Sequence, residues 1–567
     1  MKFTPRTSLL VCLAIGLAAP RVARAGGFEV PDNGTEALGR GGAFVAKADD
    51  PTAIQYNPAG FAAQRGTRLL LDGHIVMSSY QFQRFGAFPD NGHNPATPWG
   101  GTPYPLVRDQ SGPFFAPFLA ASTDFGTLDW VTVAVGVFGP SGVGNRTYPV
   151  GVEGAPAASR YDVVQTKSLI VMPTAAVGVK VFDWLDLGAA LHFVYGSFSL
   201  TSTSFVDLGD GAAGPCNNYE YRPCDSLSRL DLTGTSWAGT LGAMVHPSRT
   251  VTLGASVRSP VSMDATGKAT VLQSPLNQPI PSPGNATFHT DLPSYWRVGG
   301  RYAFLEPDGF ESGDLEVDGT YETWGQAQAG GPRIHIDHLG PAAAAFDDIN
   351  IEVSHHYSDT FSLRAGGAYN TRVSFGVLSV RAGAYYDRSA TADNPGYTRL
   401  DFDTLDKIAG TIGVGLRWNG LQFNLSWAEV FEPDRTVAPG QGQIRPIDGA
   451  MHGATVDSNG RSLPAVNEGT FSGHTEILSF GVVATFDELL GWKRAPKTAS
   501  PPSPPREEEE EKPAPEPEAK VKRPVVRAAR ADRADHAERA SVTPSKPAPA
   551  HAPTPAAAPA KKSDWDD

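Results

Sequence analysis

Apolar and polar residues alternate along most of the chain between residues 67 and 486. In residues 185–195 every second position is apolar, and the positions between them are mostly small or polar. The same pattern recurs in residues 251–257, 408–418 and 421–427. A period of two predicts β-strands that place one face against an apolar environment. Both a soluble β-sandwich and a membrane β-barrel would produce this pattern.

The lengths of the connections favour the barrel. Three of them are tight turns, at residues 182–186, 246–250 and 418–420. Between the turns lie long polar segments, which we expect to be loops: residues 139–160, 202–228, 266–289, 325–348 and 432–473. Short turns on one rim and long loops on the other are typical of outer-membrane barrels. Pairing strands with turns predicts an all-β, transmembrane antiparallel barrel of about 14 strands, an even number as such barrels require.

Composition narrows the surroundings of the chain. Mean hydropathy is -0.23 and charged residues make up 19%, which excludes a bundle of membrane helices. Barrel strands expose only alternate residues to lipid, so these values are compatible with outer-membrane lipid as the partner of the outer face. The net charge of -13 argues against a nucleic-acid partner, because phosphate binding needs concentrated Lys and Arg.

The two ends differ from the region between them. Residues 1–25 have the features of a signal peptide, with Lys2 and Arg6 before a short apolar run and a small-residue cleavage site at 23–25. Residues 487–567 are rich in Pro, Ala and Glu, which predicts a disordered tail in the periplasm. A spacer without a partner and a tether to a periplasmic partner are both open interpretations of this tail.

Two cysteines remain in the mature chain, Cys216 and Cys224, within a loop rich in Gly, Pro and Asn. Two cysteines in one loop of an exported protein predict a disulfide bond. A metal site would need further ligands, and that loop contains no histidine. We therefore predict a disulfide and no metal there.

Five segments in register resemble the FadL/TodX family of outer-membrane transporters for long-chain fatty acids and other hydrophobic compounds. The resemblance extends over residues 26–486, and the segments that carry it are residues 34–62, 133–142, 177–196, 251–261 and 313–325. It implies a 14-stranded barrel at residues 66–486, with a small hatch at residues 26–65 inside the lumen. A turn-rich stretch of that length is too short to form a core of its own, which agrees with this placement.

The resemblance also implies site residues and a mechanism. Asn57, Pro58 and Ala59 would form a rigid turn against the inner wall, while Phe28 and Val30 would line the ligand cavity. Hydrophobic ligand would adsorb at the outer loops, enter the lumen and leave sideways where the third strand kinks. In this sequence that strand would contain Gly136, Phe138, Gly139 and Pro140. Pro140 could equally begin the following loop.

No motif for catalysis or for a cofactor is present, so we predict neither an enzyme nor a resident cofactor or metal. Three functions remain: a passive channel for hydrophobic compounds, a general porin, and a structural or adhesive barrel tethered by its tail. The hatch favours the first, since an open pore has no use for a plug. Long-chain fatty acids or aromatic hydrocarbons are the expected ligands, and the sequence does not separate them.

Overall fold

The structure is a computed structural model of the chain. It describes residues 33–89, 98–139, 145–205, 224–273, 280, 282–327, 332–337, 349–353, 355–401, 405–447 and 463–491. Of the predicted features, the signal peptide, most of the tail, Phe28, Val30, Pro140 and Cys216 lie outside these residues. The predicted domain boundaries stay predictions.

The described residues form an all-β structure. Its strands are β1 (Arg68–Arg84), β2 (Val107–Arg108), β3 (Phe114–Thr123), β4 (Val131–Phe138), β5 (Arg146–Thr147), β6 (Gly151–Val152), β7 (Ala155–Pro156), β8 (Gln165–Phe182), β9 (Leu185–Phe205), β10 (Asp225–Val245), β11 (Val251–Arg258), β12 (Val261–Gln273), β13 (Gly284–Leu292), β14 (Tyr295–Leu305), β15 (Glu311–Glu322), β16 (Arg333–Asp337), β17 (Ile349–Glu352), β18 (Thr360–Val373), β19 (Gly376–Asp387), β20 (Lys407–Trp418), β21 (Leu421–Val437) and β22 (Gly469–Thr485).

The sheet closes on itself. Strand β1 pairs antiparallel with β22 from Arg68 opposite Thr485 to Arg84 opposite Gly469. Several long strands are interrupted, so that β11 and β12, β13 and β14, β15 and β16, and β17 and β18 each form one strand of the wall. The result is a closed 14-strand antiparallel barrel, which confirms the predicted fold class. Closure pairs the first strand of the wall with the last, so the sheet has no open end facing lipid.

The two faces of the wall differ as the sequence pattern predicts. Along β20, Ile408 and Ile412 are exposed on the outside, whereas Ala409 and Thr411 are buried in the lumen. Trp184 and Trp418 are exposed on the outer face beside the short turns. Aromatic side chains at this position are typical of the interfacial girdle of a membrane barrel.

The strands are longer than predicted at the end with the long connections. Strands β12 and β13 extend through most of residues 266–289, which the sequence pattern predicts as a loop. The reason is that the outward positions there, such as Thr266 and Lys268, are polar. The apolar half of the alternation therefore disappears while the backbone remains a strand.

The helices are short. They span Thr35–Leu38, Ala53–Tyr56, Trp324–Ala327 and Phe486–Leu489, with 3-10 turns at Pro58–Ala63 and Pro395–Tyr397. Among the described residues no helix is long and apolar enough to cross a membrane. Residues 33–66, hereafter the inner segment, pack almost entirely buried against the inner faces of the strands.

Candidate functional site: the lumen and an opening in its wall

Acidic side chains of β15 hold the backbone of the inner segment. Asp318 Oδ2 accepts hydrogen bonds from the N–H groups of Phe44 at 2.7 Å and Val45 at 2.9 Å. Glu316 Oε1 accepts from the N–H of Ala46 at 2.6 Å. These N–H groups have no strand partner of their own, so wall carboxylates take the place of a ladder.

A fully buried ion pair anchors the same segment. The guanidinium of Arg40 lies 2.5 Å from Asp314 Oδ2 and 3.2 Å from Glu316 Oε2. Two glycines in the wall make room for the backbone of Arg40. A Cβ at Gly366 would lie 1.9 Å from the Arg40 carbonyl oxygen, and a Cβ at Gly383 would lie 2.2 Å from the Arg40 carbonyl carbon. A buried charge is tolerated only when it is paired and hydrogen-bonded, as here.

The Asn-Pro-Ala turn lies against the inner wall. The side-chain amide of Asn57 donates to the carbonyl of Ala243 in β10 at 3.1 Å, and its Oδ1 accepts from the N–H of Ala59 at 3.2 Å. Pro58 lies against Gly188 in β9, where a Cβ would come within 2.2 Å of the proline carbonyl carbon. The turn therefore depends on a glycine surface in the wall.

The wall is incompletely paired around β4. Strand β3 pairs with β4 only from Leu119 to Thr123, and β8 pairs with β4 only from Met172 to Val179. Beyond the end of β4, residues 114–118 of β3 and 167–171 of β8 have no ladder partner on the facing side within the described residues. We call this place the wall opening.

A cavity of about 130 Å³ occupies the wall opening. Its lining includes buried inward side chains, such as Phe138 and Ile170, and exposed outward ones, such as Phe115 and Leu169. Because side chains of both faces line one cavity, the cavity passes through the thickness of the wall. The remaining lining residues are Asn33, Phe114, Ala116, Pro117, Leu119, Val137, Gly139, Ser168 and Val171.

Two prolines mark the strands that border the wall opening. Pro117 lies in β3 within the unpaired stretch, and Pro173 lies in β8 opposite Val137. Proline has no backbone N–H and is confined to edges and bulges of sheets. These two prolines could have indicated the site from the sequence. The sequence analysis considered only the residues of β4 and did not use them.

The predicted residues of the third strand have distinct positions. Gly136 faces inward, where a Cβ would lie 3.2 Å from Ile54 Cδ1 of the inner segment. Phe138 stacks on Phe118 with ring centroids 5.0 Å apart. The carbonyl of Gly139 accepts a hydrogen bond from the side chain of Asn33 at 2.8 Å. Gly136 thus leaves space for the inner segment, and its role in a strand kink stays a prediction.

A second cavity, of about 240 Å³, lies at the end with the long connections. One side is apolar and consists of Leu200, Leu230, Ile334, Ile336, Ile349, Ile351 and Val353. The lining also contains charged groups, among them Arg399, which lies 2.9 Å from Asp162 and 3.3 Å from Asp401. This loop-side cavity is therefore amphipathic.

One buried apolar cluster joins the two cavities. It includes Leu230 and Ile334 of the loop-side cavity and Phe138 and Ile170 of the wall opening. The same cluster also contains Met172, Val194, Phe198, Met263 and Phe288. Apolar side chains of the two cavities therefore belong to one continuous set of packing contacts.

The end with the short turns has a different character. A cavity of about 200 Å³ there is lined by charged side chains: Glu36, Asp49, Asp50, Arg68, Arg417 and Glu488. Glu36 is buried and lies 3.0 Å from the guanidinium of Arg381. Burial, followed by the nearby Glu36 carboxylate, raises the pKa of Asp50 to about 7.

The predicted disulfide is only half within the described residues. Cys224 is buried in a cluster with Phe205 and Ile444 at the start of β10. Cys216 lies outside the described residues, so the bond stays a prediction.

A closed antiparallel barrel whose lumen is filled by its own N-terminal segment, with a buried apolar cluster and a cavity through its wall, defines a plugged barrel of the outer-membrane type. The sequence matches the family described as "Outer membrane protein transport protein (OMPP1/FadL/TodX)" over residues 16–424, and the chain belongs to that family. This confirms the resemblance found in the sequence.

Solved structures share the fold. A Pseudomonas aeruginosa FadL homologue is 18% identical with a TM-score of 0.63, covering 81% of this chain and all of the homologue. The Pseudomonas putida toluene transporter TodX is 14% identical with a TM-score of 0.55, covering 82% and 99% of the two chains. The Ralstonia pickettii toluene transporter TbuX is 15% identical with a TM-score of 0.53, covering 79% and 97%. No curated protein matches the sequence.

Proposed function

We propose that this protein is a passive channel of the bacterial outer membrane that takes up hydrophobic compounds and releases them sideways through the wall opening. The observation that supports it most is the apolar cluster that connects the loop-side cavity with the wall opening. An apolar solute gains about 25 cal/mol for each Å² of surface that leaves water. A continuous apolar path can therefore conduct such a solute without an energy source.

The contrast between the two exits supports lateral release. The short-turn end is lined by charged side chains, and the inner segment is fixed across the lumen by the Arg40 ion pair. An apolar solute would have to displace hydrated or paired charges there, which is costly. Through the wall opening it would pass Phe115, Leu119 and Leu169, which are exposed on the outer face.

Long-chain fatty acids are the proposed ligands, and aromatic hydrocarbons are the second candidate. One solved relative is a FadL homologue and two others are toluene transporters. The amphipathic loop-side cavity, with isoleucines such as Ile334 near the charged Arg399, suits a long apolar chain with a polar end.

We further propose that the tail beyond residue 486 lies in the periplasm.

Filling the wall opening tests the route. Ser168 is buried and inward-facing in the opening, so Ser168→Phe would obstruct it. We expect uptake of a fluorescent long-chain fatty acid and of toluene to fall at least about tenfold, since an aromatic ring overfills so small a cavity. Leu191→Phe is the matched control, because Leu191 is exposed on the outer face of β9 and lines none of the three cavities described above. Normal uptake by Ser168→Phe at normal surface levels would exclude this route.

A conductance measurement separates the channel from the alternatives. A general porin should conduct ions as isolated, whereas the plugged barrel should stay closed in planar bilayers until residues 26–52 are deleted. A structural barrel tethered by its tail should lose its role when the chain is truncated after Arg494. We expect that truncation to leave a folded barrel with normal uptake.

A further inference from the structure

The first described residues of the inner segment are fixed to the wall at β1 and β22. The N–H of Gly34 donates to His74 Nε2 at 3.0 Å, and the N–H of Thr35 donates to Asp72 Oδ2 at 2.9 Å. The hydroxyls of Thr35 and Ser479 lie 2.6 Å apart. All of these residues are buried, so the backbone that carries Asn33 has a fixed position.

From that position the side chain of Asn33 extends into the wall opening. Its amide nitrogen donates to the Gly139 carbonyl at 2.8 Å and to Gln55 Oε1 at 2.9 Å. The backbone carbonyl of Asn33 accepts a hydrogen bond from the Tyr56 hydroxyl at 2.9 Å. Asn33 is 4% exposed and belongs to the lining of the cavity through the wall.

The Gly139 carbonyl is the group that needs such a partner. It lies one residue beyond the end of β4, where the ladders to β3 and β8 have stopped. A backbone carbonyl without a hydrogen bond at membrane depth carries a desolvation cost, because lipid offers no donor. The Asn33 amide supplies the donor from inside the lumen.

We propose that Asn33 is a clasp: it completes the edge of the wall opening, and it ties the opening to the inner segment. A solute too large for the cavity of about 130 Å³ must separate the Asn33 amide from Gly139 to leave through the opening. Displacement of the inner segment and widening of the opening are then one event. This inference rests on the lateral route of the proposed function, and it assigns the control of that route to one side chain.

Accessibility from the lipid side tests the clasp without measuring transport. Ser168→Cys places a thiol in the wall opening of the full-length barrel in liposomes, where an apolar maleimide reaches it from the bilayer. Adding Asn33→Leu keeps the number and branching of the side-chain heavy atoms and removes the donor. Since a lost hydrogen bond to a buried carbonyl shifts such an equilibrium by about fivefold or more, we expect labelling to accelerate at least about fivefold.

Gln55→Leu is the matched control. It removes the other acceptor of the Asn33 amide and leaves the bond to Gly139, so labelling should stay within about twofold of the parent. Asn33→Ala, which also lacks the donor, must give the same acceleration as Asn33→Leu. Hydrogen exchange at the amides of Gly34 and Thr35 should stay slow, since their bonds to His74 and Asp72 are untouched.

Unchanged labelling in both Asn33 variants would overturn the clasp. Equal acceleration in Gln55→Leu would also overturn it, because general loosening of the inner segment would then suffice. A different result would contradict the proposed function and not the clasp. If Ser168→Phe leaves uptake normal while Asn33→Leu still accelerates labelling, Asn33 closes an opening through which solute does not pass.

Discussion

Two parts of the same wall are built differently. Where β22 meets β1, every residue of β1 has a ladder partner from Arg68 to Arg84. Around β4, pairing ends at Leu119 on one side and Met172 on the other, and a cavity passes through the wall. A barrel can therefore interrupt its own sheet, provided that other groups bond the backbone freed at that place.

The inner segment is held by different kinds of contact in the two regions. Opposite the wall opening, Arg40 and the backbone around Phe44 are held by charged groups of β15. At the opening, one neutral amide, that of Asn33, makes the contact with Gly139. Strong anchoring on the continuous side and a single hydrogen bond at the opening leave the opening as the weaker side.

The largest expected effect comes from breaking the continuous wall. Leu478→Pro, in the middle of β22, would remove an N–H and force two strands apart where both neighbours are paired. Unpaired backbone groups in lipid cost several kcal/mol each, so we expect no folded barrel in the outer membrane. Heat-modifiable migration on gels measures this.

Pro117→Ala is the corresponding change beside the wall opening. It restores an N–H to a strand that already lacks a partner on one side, and the barrel should fold normally. If Leu478→Pro folded as well as Pro117→Ala, continuous pairing between β1 and β22 would not be required for the barrel to fold.

Arg40→Met should release the inner segment on its strongly held side. It removes the ion pairs that Arg40 makes with Asp314 and Glu316, although Asp314 keeps its ion pair with Arg301, and breaking a buried ion pair costs about 3–5 kcal/mol. We expect fast hydrogen exchange at the amides of Phe44 and Val45 while the strands stay protected. The double variant Arg40→Met with Glu316→Gln should recover part of that protection, and slow exchange in the single variant would contradict the assignment.

A smaller effect is expected where the Asn-Pro-Ala turn meets the wall. Gly188→Ala puts a Cβ within 2.2 Å of the backbone of Pro58, and overpacking of this kind costs about 1–3 kcal/mol. The resting conductance in planar bilayers should rise. Gly410→Ala is the control, since a Cβ there meets nothing within 4 Å. Equal conductance in the two variants would count against close packing of the turn.

The smallest effect is a pH dependence at the charged end of the lumen. Because burial raises the pKa of Asp50 to about 7, the folded state binds this proton more tightly than the unfolded chain. Protonated Asp50 therefore contributes to the free energy of unfolding at low pH, and this stabilisation is lost as pH rises through about 7. Between pH 6 and 8 it amounts to about 1 kcal/mol. Protection factors of the inner-segment amides, which correct for the intrinsic pH dependence of hydrogen exchange, should fall over this range, and Asp50→Asn should abolish the fall.

The strand pattern was predictable because lipid imposes it. Outward residues such as Leu191 and Ile412 must be apolar, and the lumen side need not be, so alternation marks each strand. The pattern ends where strands leave the lipid, which is why β12 and β13 were predicted too short.

The site was less predictable because its key groups are ordinary residues placed by pairing. Pro117 and Pro173 carry a signal that a sequence can show, since proline inside a strand indicates an edge. The alternating Asp314, Glu316 and Asp318 of β15 carry another, because three carboxylates in a lumen need partners. No sequence signal marks Asn33, because its role depends on the position at which β4 ends.

The carboxylates of β15 have a consequence for the order in which the protein acquires structure. The N–H of Phe44 finds its acceptor, Asp318, 274 residues further along the chain. The ribosome therefore makes the inner segment first, but the groups that complete its hydrogen bonds exist only after more than half of the barrel has been synthesised. The inner segment can therefore complete its hydrogen bonds only after the later strands of the wall are in place.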